Sequence, residues 1–363
     1  MPDSSAMSTP AGPAAKHSAA RLDDAINRMR ARRARKHGYL STVIPYAGYG
    51  GTDWVRILAR TVLAKDPKPG SRVGTQYRKR EESVRGWRSF TSVPISDVPV
   101  IATIGGEEHV LHPDRGGVID EVLPVRLAPG RHEFQLRPEG SESATTASVL
   151  IIGPEVRFGV VSDIDDTVMV TWLPRPMLAA WNSFVLDEHA RVPTPGMAVL
   201  YERIRSEHRR SPFIYLSTGA WNVAPTLKRF LTRNLYPSGP MLLTDWGPTH
   251  DRFFRSGRVH KEENLERLAA EFPDVKWLLF GDDGQHDEAI YGNFVAQHPE
   301  SVAAVAIRQL YVTEAVLAGG RKTERPGQNT GVPWVYGPDG MSLYRQLRDL
   351  GFVGGHHDEG KRV

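Results

Sequence analysis

Phe158-Gly159-Val160-Val161-Ser162-Asp163-Ile164-Asp165-Asp166-Thr167-Val168 is a short apolar run that ends in acids at alternate positions and then a threonine. Side chains alternate along a strand, so Asp163 and Asp165 would face opposite ways if one strand ran through both. A strand that stops at Asp163 lets the backbone bend and bring both carboxylates to one place. That place is the carboxyl edge of a sheet, where open α/β proteins put their ligands. Paired carboxylates there suit a divalent cation, a nucleophile and a general acid/base.

Downstream of this stretch, strand-like runs alternate with helical ones. The pattern predicts strands over 157–163, 212–217, 240–244, 276–281 and 302–307. It predicts helices over 196–209, 222–234, 260–271 and 286–297, then a closing strand at Trp334–Tyr336 and a helix near 340–350. Such alternation implies parallel βαβ units and an α/β, doubly wound parallel sheet over 156–363. Residues 319–332 read as a mobile loop.

Upstream the texture differs. Apolar alternation appears in Val55–Val62, Val98–Ile104, Glu121–Leu127, Arg131–Leu136 and Ala147–Ile152, separated by Gly, Pro and Asp turns. This predicts a smaller β-sandwich-like domain over 40–155. Gly48-Tyr49-Gly50-Gly51 has no strand before it and no helix after it, so it reads as a turn rather than a phosphate loop. Residues 1–39 read as a tail, disordered over 1–18, followed by a basic helix over 19–37.

The 363 residues contain no cysteine, which excludes disulfides, thiolate catalysis and zinc–thiolate sites. No stretch is apolar for long enough to span a bilayer, and the N-terminus lacks the apolar core of a secretory signal. The expected location is cytoplasmic. Residues 1–40 hold eight Lys/Arg against three Asp, a surplus of five that exceeds the net charge of +4 for the whole chain. The basic character therefore belongs to the appendage. A basic helix at 19–37 attracts anionic lipid, which would put the protein at the inner membrane surface, or packs as a charged helix on the next domain. Nucleic acid is the weaker reading of that charge.

Four elements of the downstream half carry chemistry in a fixed order: Asp163 and Asp165 with Thr167; Ser217 and Thr218; Lys261; then Gly281-Asp282-Asp283-Gly284-Gln285-His286-Asp287. Each type has a role in phosphoryl transfer, whose anionic group must be stabilised in flight. Lys261 neutralises part of that charge. Ser217 and backbone N–H groups donate to phosphate oxygens. Asp163 and Asp282 suit Mg²⁺, a hard ion that prefers oxygen ligands. Asp283 is a metal ligand or a loop acid, and Asp287 orients Lys261 or a metal-bound water.

This ordered set resembles the haloacid dehalogenase superfamily of phosphotransferases, whose first motif is acid–x–acid–x–Thr after an apolar strand. Gly159–Val168, Tyr215-Leu-Ser-Thr-Gly-Ala-Trp221, Gly239-Pro-Met-Leu-Leu-Thr-Asp-Trp-Gly247 and Gly281–Asp287 look more closely like the bacterial branch of the actin-patch-associated phosphatidate phosphatase family. The fungal pattern has Ser-Asn-Ser-Pro-Trp where this chain has Ser217-Thr-Gly-Ala-Trp221, and often serine where it has Asp283. The resemblance implies a haloacid dehalogenase-like fold and a Mg²⁺ cofactor held by Asp163, Asp165 and Asp282. It implies that Asp163 forms an aspartyl-phosphate. Asp165 then protonates the leaving oxygen and afterwards activates water, with Thr167, Ser217 and Thr218 on the substrate. The implied substrate is phosphatidate or a related lipid phosphate. A phosphoprotein or nucleic-acid-end phosphatase is the alternative enzyme, and a non-catalytic membrane adaptor the alternative without chemistry.

The intervals between the first, second and third motifs leave no room for a large cap domain once the expected helices are subtracted. Residues 171–195 suffice only for a flap, with Trp172, Leu173, Pro174, Met177 and Trp181 as core or as an apolar rim. A lightly covered site predicts a bulky phosphomonoester.

Overall fold

The computed structural model describes residues 28–65, 93–170, 191–244, 250–284, 286–311 and 331–354, and of residues 250–256 only the backbone. The expectations for residues 1–27, for the flap at 171–190 and for most of the loop at 319–332 lie outside the described residues.

The second half is built on a six-stranded, all-parallel sheet. Its strands are β10 (Phe158–Asp163), β13 (Phe213–Ala220), β14 (Met241–Thr244), β15 (Lys276–Asp282), β16 (Val302–Arg308) and β17 (Trp334–Gly337). Nearly every residue of β10, β13, β15 and β16 is buried, which explains why they read as continuous apolar runs rather than alternating ones. The strand order is β14-β13-β10-β15-β16-β17. From β10 the chain steps to one side for β13 and β14. It then returns to the other side for β15, β16 and β17. The reversal opens a crevice at the carboxyl end of β10. Helices α1 (Met197–Glu207), α2 (Ala224–Arg233), α3 (His250–Glu271), α4 (Asp287–Gln297) and α5 (Gly340–Asp349) make the connections and the close. Helix α1 packs on α5, and α3 on α4.

Gly159 has a steric reason. It is the register partner of Trp277 on β15, and a Cβ there would lie 2.4 Å from the Trp277 ring. Only a bare backbone leaves room for that indole against β10.

Helix α3 begins at His250, ten residues before the sequence pattern places it. Residues 250–259 lack a clean apolar stripe and include Gly257, so their period is faint. Lys261 consequently sits within the helix rather than near its start.

The first half forms a nine-stranded, mostly antiparallel sheet. It comprises β1 (Leu40–Pro45), β2 (Gly48–Gly50), β3 (Val55–Ala64), β4 (Val93–Pro94), β5 (Val100–Ile104), β6 (Glu107–Leu111), β7 (Val118–Leu123), β8 (Gly130–Pro138) and β9 (Thr145–Ile151). The glycine cluster read as a turn is strand β2, which pairs with β3 and, in parallel, with β9. The segment read as 121–127 is strand only to Leu123, because Pro124 cannot donate to a ladder. Residues 28–36 are helical. Ala31 and Ala34 on one face pack with Leu63 and Ile95, while Arg28, Arg30, Arg32 and Arg33 stay exposed.

Strand β3 ties the halves together. Its Val55, Ile57 and Ala59 belong to the core of the β-domain, whereas Leu58 and Val62 join the core of the parallel sheet. Two further struts reach the second half. Tyr46 stacks on Trp221 at 4.5 Å between ring centroids and donates to its carbonyl at 3.0 Å. Arg56, on β3, pairs with Asp120 on β7 and with Glu271 at the end of α3; Arg267 of α3 reaches Asp120 at 2.9 Å. The β-domain thus grips the turn that follows β13 and the helix that carries Lys261.

Arg56 and Glu271 are only 12% and 16% exposed, so removing one charge strands the other. Arg56→Ala is expected to lower unfolding free energy in urea by roughly 1–3 kcal/mol, between the surface and the buried ion-pair range. Arg205→Ala, which breaks an exposed pair with Glu202 on α1, should cost less than about 0.5 kcal/mol. Equal costs would show that the strut adds nothing to the joint.

Candidate active site

Asp163 is the last residue of β10, and the chain turns at once. Val168 and Met169 donate back to the Ile164 carbonyl at 3.1 and 3.2 Å, and Asp166 adopts a left-handed φ of 57°. Ile164 is fully buried in the core of the parallel sheet. The turn therefore sends Ile164 inward and leaves Asp163 and Asp165 together at the crevice.

Asp163, 1% exposed, meets two partners. Its Oδ1 is 2.6 Å from Lys261 Nζ, and its Oδ2 accepts from Thr167 Oγ1 at 3.2 Å. Asp165 Oδ2 accepts from Ser217 Oγ at 2.9 Å, and Ser217 Oγ in turn accepts from Gly219 N at 3.0 Å. Thr218 lies apart from this network. Its methyl faces Gly257 of α3, and its carbonyl accepts from Thr244 Oγ1 at 2.9 Å.

Lys261 is 4% exposed, and its ammonium is shared between Asp163 and Asp287 Oδ1, each at 2.6 Å. Asp287 opens α4 and also accepts from Asp282 N at 3.4 Å. Asp282 Oδ1 accepts from Gly284 N at 2.7 Å. Asp283 turns away: its Oδ1 accepts from Leu310 N at 2.8 Å, and its N donates to the Arg308 carbonyl at 3.0 Å.

Carboxylate oxygens of Asp163, Asp282 and Asp287 lie within 4.8 Å of one another, all buried. Among the described residues this is the one acidic or histidine cluster close enough to share an ion. Two members, Asp163 and Asp282, belong to the expected metal set; the third, Asp287, is the acid expected to orient Lys261 or a metal-bound water. Asp165 turns its Oδ2 to Ser217, while its Oδ1 is buried with no hydrogen-bond partner among the described residues.

Burial dominates the titration of the site. It pushes Asp163 and Asp282 well above the usual carboxylate range. For Asp163 the Lys261 charge pulls back down, while Asp287 and Asp165 push up; for Asp282 the charges of Asp287, Asp166 and Asp163 add to burial. Asp165 is also raised by burial, moderated by the Ser217 hydrogen bond and by the charges of Lys261 and Arg191. Burial alone would lower Lys261, but Asp163 and Asp287 outweigh it and the net shift is upward, so the ammonium holds its proton. Asp163, Asp282 and Asp287 share one lysine, so ionising all three would leave unbalanced negative charge among them. An all-oxygen donor set of this kind fits a hard divalent cation.

Two arginines complete the surroundings. Arg191, 6% exposed, lies just ahead of β12 (Val192–Pro193), which pairs with β11 (Met169–Val170) directly after the acid loop. Nothing in its local sequence marks it. Arg308, fully buried, ends the apolar run of β16. A charged residue at a fifth strand end was a visible signal that the ordered set of motifs did not use.

The stretch that contains this whole site has known relatives. Residues 158–309 match a family model described as Phosphatidate phosphatase APP1, catalytic domain. Phosphatidate phosphatase APP1 of Saccharomyces cerevisiae is 28% identical over 152 residues, covering 41% of this chain and 25% of the yeast protein. An uncharacterized Schizosaccharomyces pombe protein is 25% identical over 211 residues, covering 53% of this chain and 33% of its own. The matches thus span a quarter to a third of these relatives' lengths. Among solved structures, a carbohydrate acetylesterase from Xanthomonas citri aligns at 10% identity with a TM-score of 0.27, covering 86% of this chain and 76% of its own. At that score the likeness carries no argument.

Carboxylates whose pKa is higher folded than unfolded bind more protons when folded. Their contribution to stability is therefore present at low pH and lost as pH rises through the raised values. In EDTA, the melting temperature of the protein minus that of Asp282→Asn should fall as pH rises above the ordinary carboxylate range near ~4. Millimolar Mg²⁺ should restore wild type most at the higher pH and leave Asp282→Asn nearly unmoved. A difference independent of pH and of Mg²⁺ would count against an ion site at the three aspartates.

Proposed function

We propose that this protein is a Mg²⁺-dependent phosphomonoesterase, with phosphatidate or a related lipid phosphate as substrate and an aspartyl-phosphate on Asp163 as intermediate. The observation that carries the reading is the shared Lys261 ammonium between Asp163 and Asp287, beside the separate Asp165–Ser217 pair, at the crevice where the strand order reverses. The likeness of residues 158–309 to a phosphatidate phosphatase catalytic domain supports the substrate class. We read the parallel-sheet half as a haloacid dehalogenase-like, doubly wound fold.

The two acids at the turn take different roles because their surroundings differ. Asp163 sits against the Lys261 ammonium, whose charge opposes the upward push of burial; with a divalent cation adding to that charge it would be ionised for attack on phosphorus. Among the described residues Asp165 has no cation in hydrogen-bond contact; it is buried against a neutral hydroxyl, which favours holding a proton for the leaving oxygen. Once the alcohol departs, Asp165 accepts a proton from the water that attacks the phosphoaspartate, and the bond to Asp163 breaks. Lys261 and the Ser217–Gly219 donors offset charge on the phosphoryl oxygens. Asp163, Asp282 and Asp287 would hold Mg²⁺, which when bound supplies the charge neutralisation that lets an anionic nucleophile approach an anionic ester.

Purified protein should release phosphate from phosphatidate in mixed micelles with Mg²⁺ and not with EDTA. Asp163→Asn and Asp165→Asn should each fall below roughly a thousandth of wild-type kcat, and Lys261→Met by about 10²–10³-fold. Phosphopeptides and 3′-phosphorylated oligonucleotides run in parallel decide the substrate class. Full turnover by Asp163→Asn would sink the mechanism.

A further inference from the structure

The turn that brings Asp163 and Asp165 together depends on Asp166 at φ 57°, where a residue with a Cβ is strained and glycine is not. Such a conformation persists only if its surroundings hold it. Four carbonyls of this turn are held by donors. Asp163 O accepts from Ser162 Oγ at 2.7 Å, and Ile164 O from the Val168 and Met169 amides. Val168 O accepts from Tyr236 Oη at 2.7 Å and Thr194 N at 3.0 Å. The Asp166 carbonyl, at the strained residue itself, accepts from Arg308 Nη1 at 2.7 Å.

Arg308 is 0% exposed and touches more than that one loop. Its Nε donates to the Pro338 carbonyl at 3.4 Å, one residue before Asp339 caps α5, and its own carbonyl accepts from Asp283 N at 3.0 Å. One guanidinium and its backbone therefore join the acid turn, the β15 acid loop and the approach to α5.

We propose that Arg308 is a positioning residue of the phosphatase site, a clamp that holds Asp166 in its left-handed conformation and thereby keeps Asp163 and Asp165 on one crevice. The effect on turnover rests on the proposed phosphatase activity; the effect on the loop does not. Lysine keeps the charge but loses the planar fork that reaches two carbonyls at once.

The test uses the full-length protein and two readouts, deuterium exchange of the 164–169 amides and steady-state hydrolysis of phosphatidate. Arg308→Lys should raise exchange of that peptide by about tenfold or more, and lower kcat by roughly 10–100-fold with KM within about threefold, as for a misplaced nucleophile. The decisive comparison adds Asp166→Gly and Asp166→Ala, which both lack the carboxylate but differ in backbone freedom. The Arg308→Lys penalty should shrink in the glycine background and stay or grow in the alanine background, in both readouts. Unchanged exchange in Arg308→Lys, or equal penalties in the two backgrounds, would overturn the clamp. Altered exchange in a protein that hydrolyses no phosphate ester would uphold the clamp and reject the phosphatase reading instead.

Discussion

The buried ammonium of Lys261 is the constraint on which the site depends. It stands 2.6 Å from both Asp163 and Asp287, with Asp282 beside them. Burial and like charge push Asp163 and Asp282 toward their neutral forms, and the Lys261 ammonium is the charge that opposes this. The lysine also links separate parts of the fold, because its carboxylates come from the end of β10 and the start of α4 while it rises from α3. Electrostatics and assembly therefore coincide at one point.

That coincidence explains the work of the β-domain. A helix that must deliver one amine to within hydrogen-bond distance of two carboxylates needs a fixed position. Arg56 and Asp120 hold its far end through Glu271 and Arg267, and Tyr46 holds the turn after β13 through Trp221. Strand β3 supplies apolar residues to both cores, so the two halves share packing as well as ion pairs. The first half is thus a buttress for the two elements that approach the acid turn from outside it.

Much of the parallel-sheet half was legible because buried parallel strands are continuous apolar runs that end in polar residues. The five strands between 157 and 307 fall within a few residues of the structure. Legibility failed where local pattern and tertiary role part company. Gly48–Gly50 carries a turn composition yet is a strand, since β3 and β9 on either side supply its partners. Residues 250–259 have no clear helical stripe, yet they extend α3. Arg308 sits at a strand end like the acids, but its meaning lies in a carbonyl of the acid turn far back in the chain.

The sequence by itself determined which side chains stand at the strand ends and in what order: two acids and a threonine, a serine, a lysine, then more acids. Those are local facts, written in apolar period and in the residues that break it. Only the tertiary structure decided the pairings. It chose Lys261, of the two partners the sequence left open for Asp287, gave the same ammonium to Asp163, gave Ser217 to Asp165, and turned Asp283 away to Leu310. Thr218 went to the face of α3 rather than to the acids. The reason is geometric. Which oxygen meets which donor depends on strand register, on the left-handed turn at Asp166 and on the pitch of α3 against the sheet, and none of these is carried by spacing along the chain.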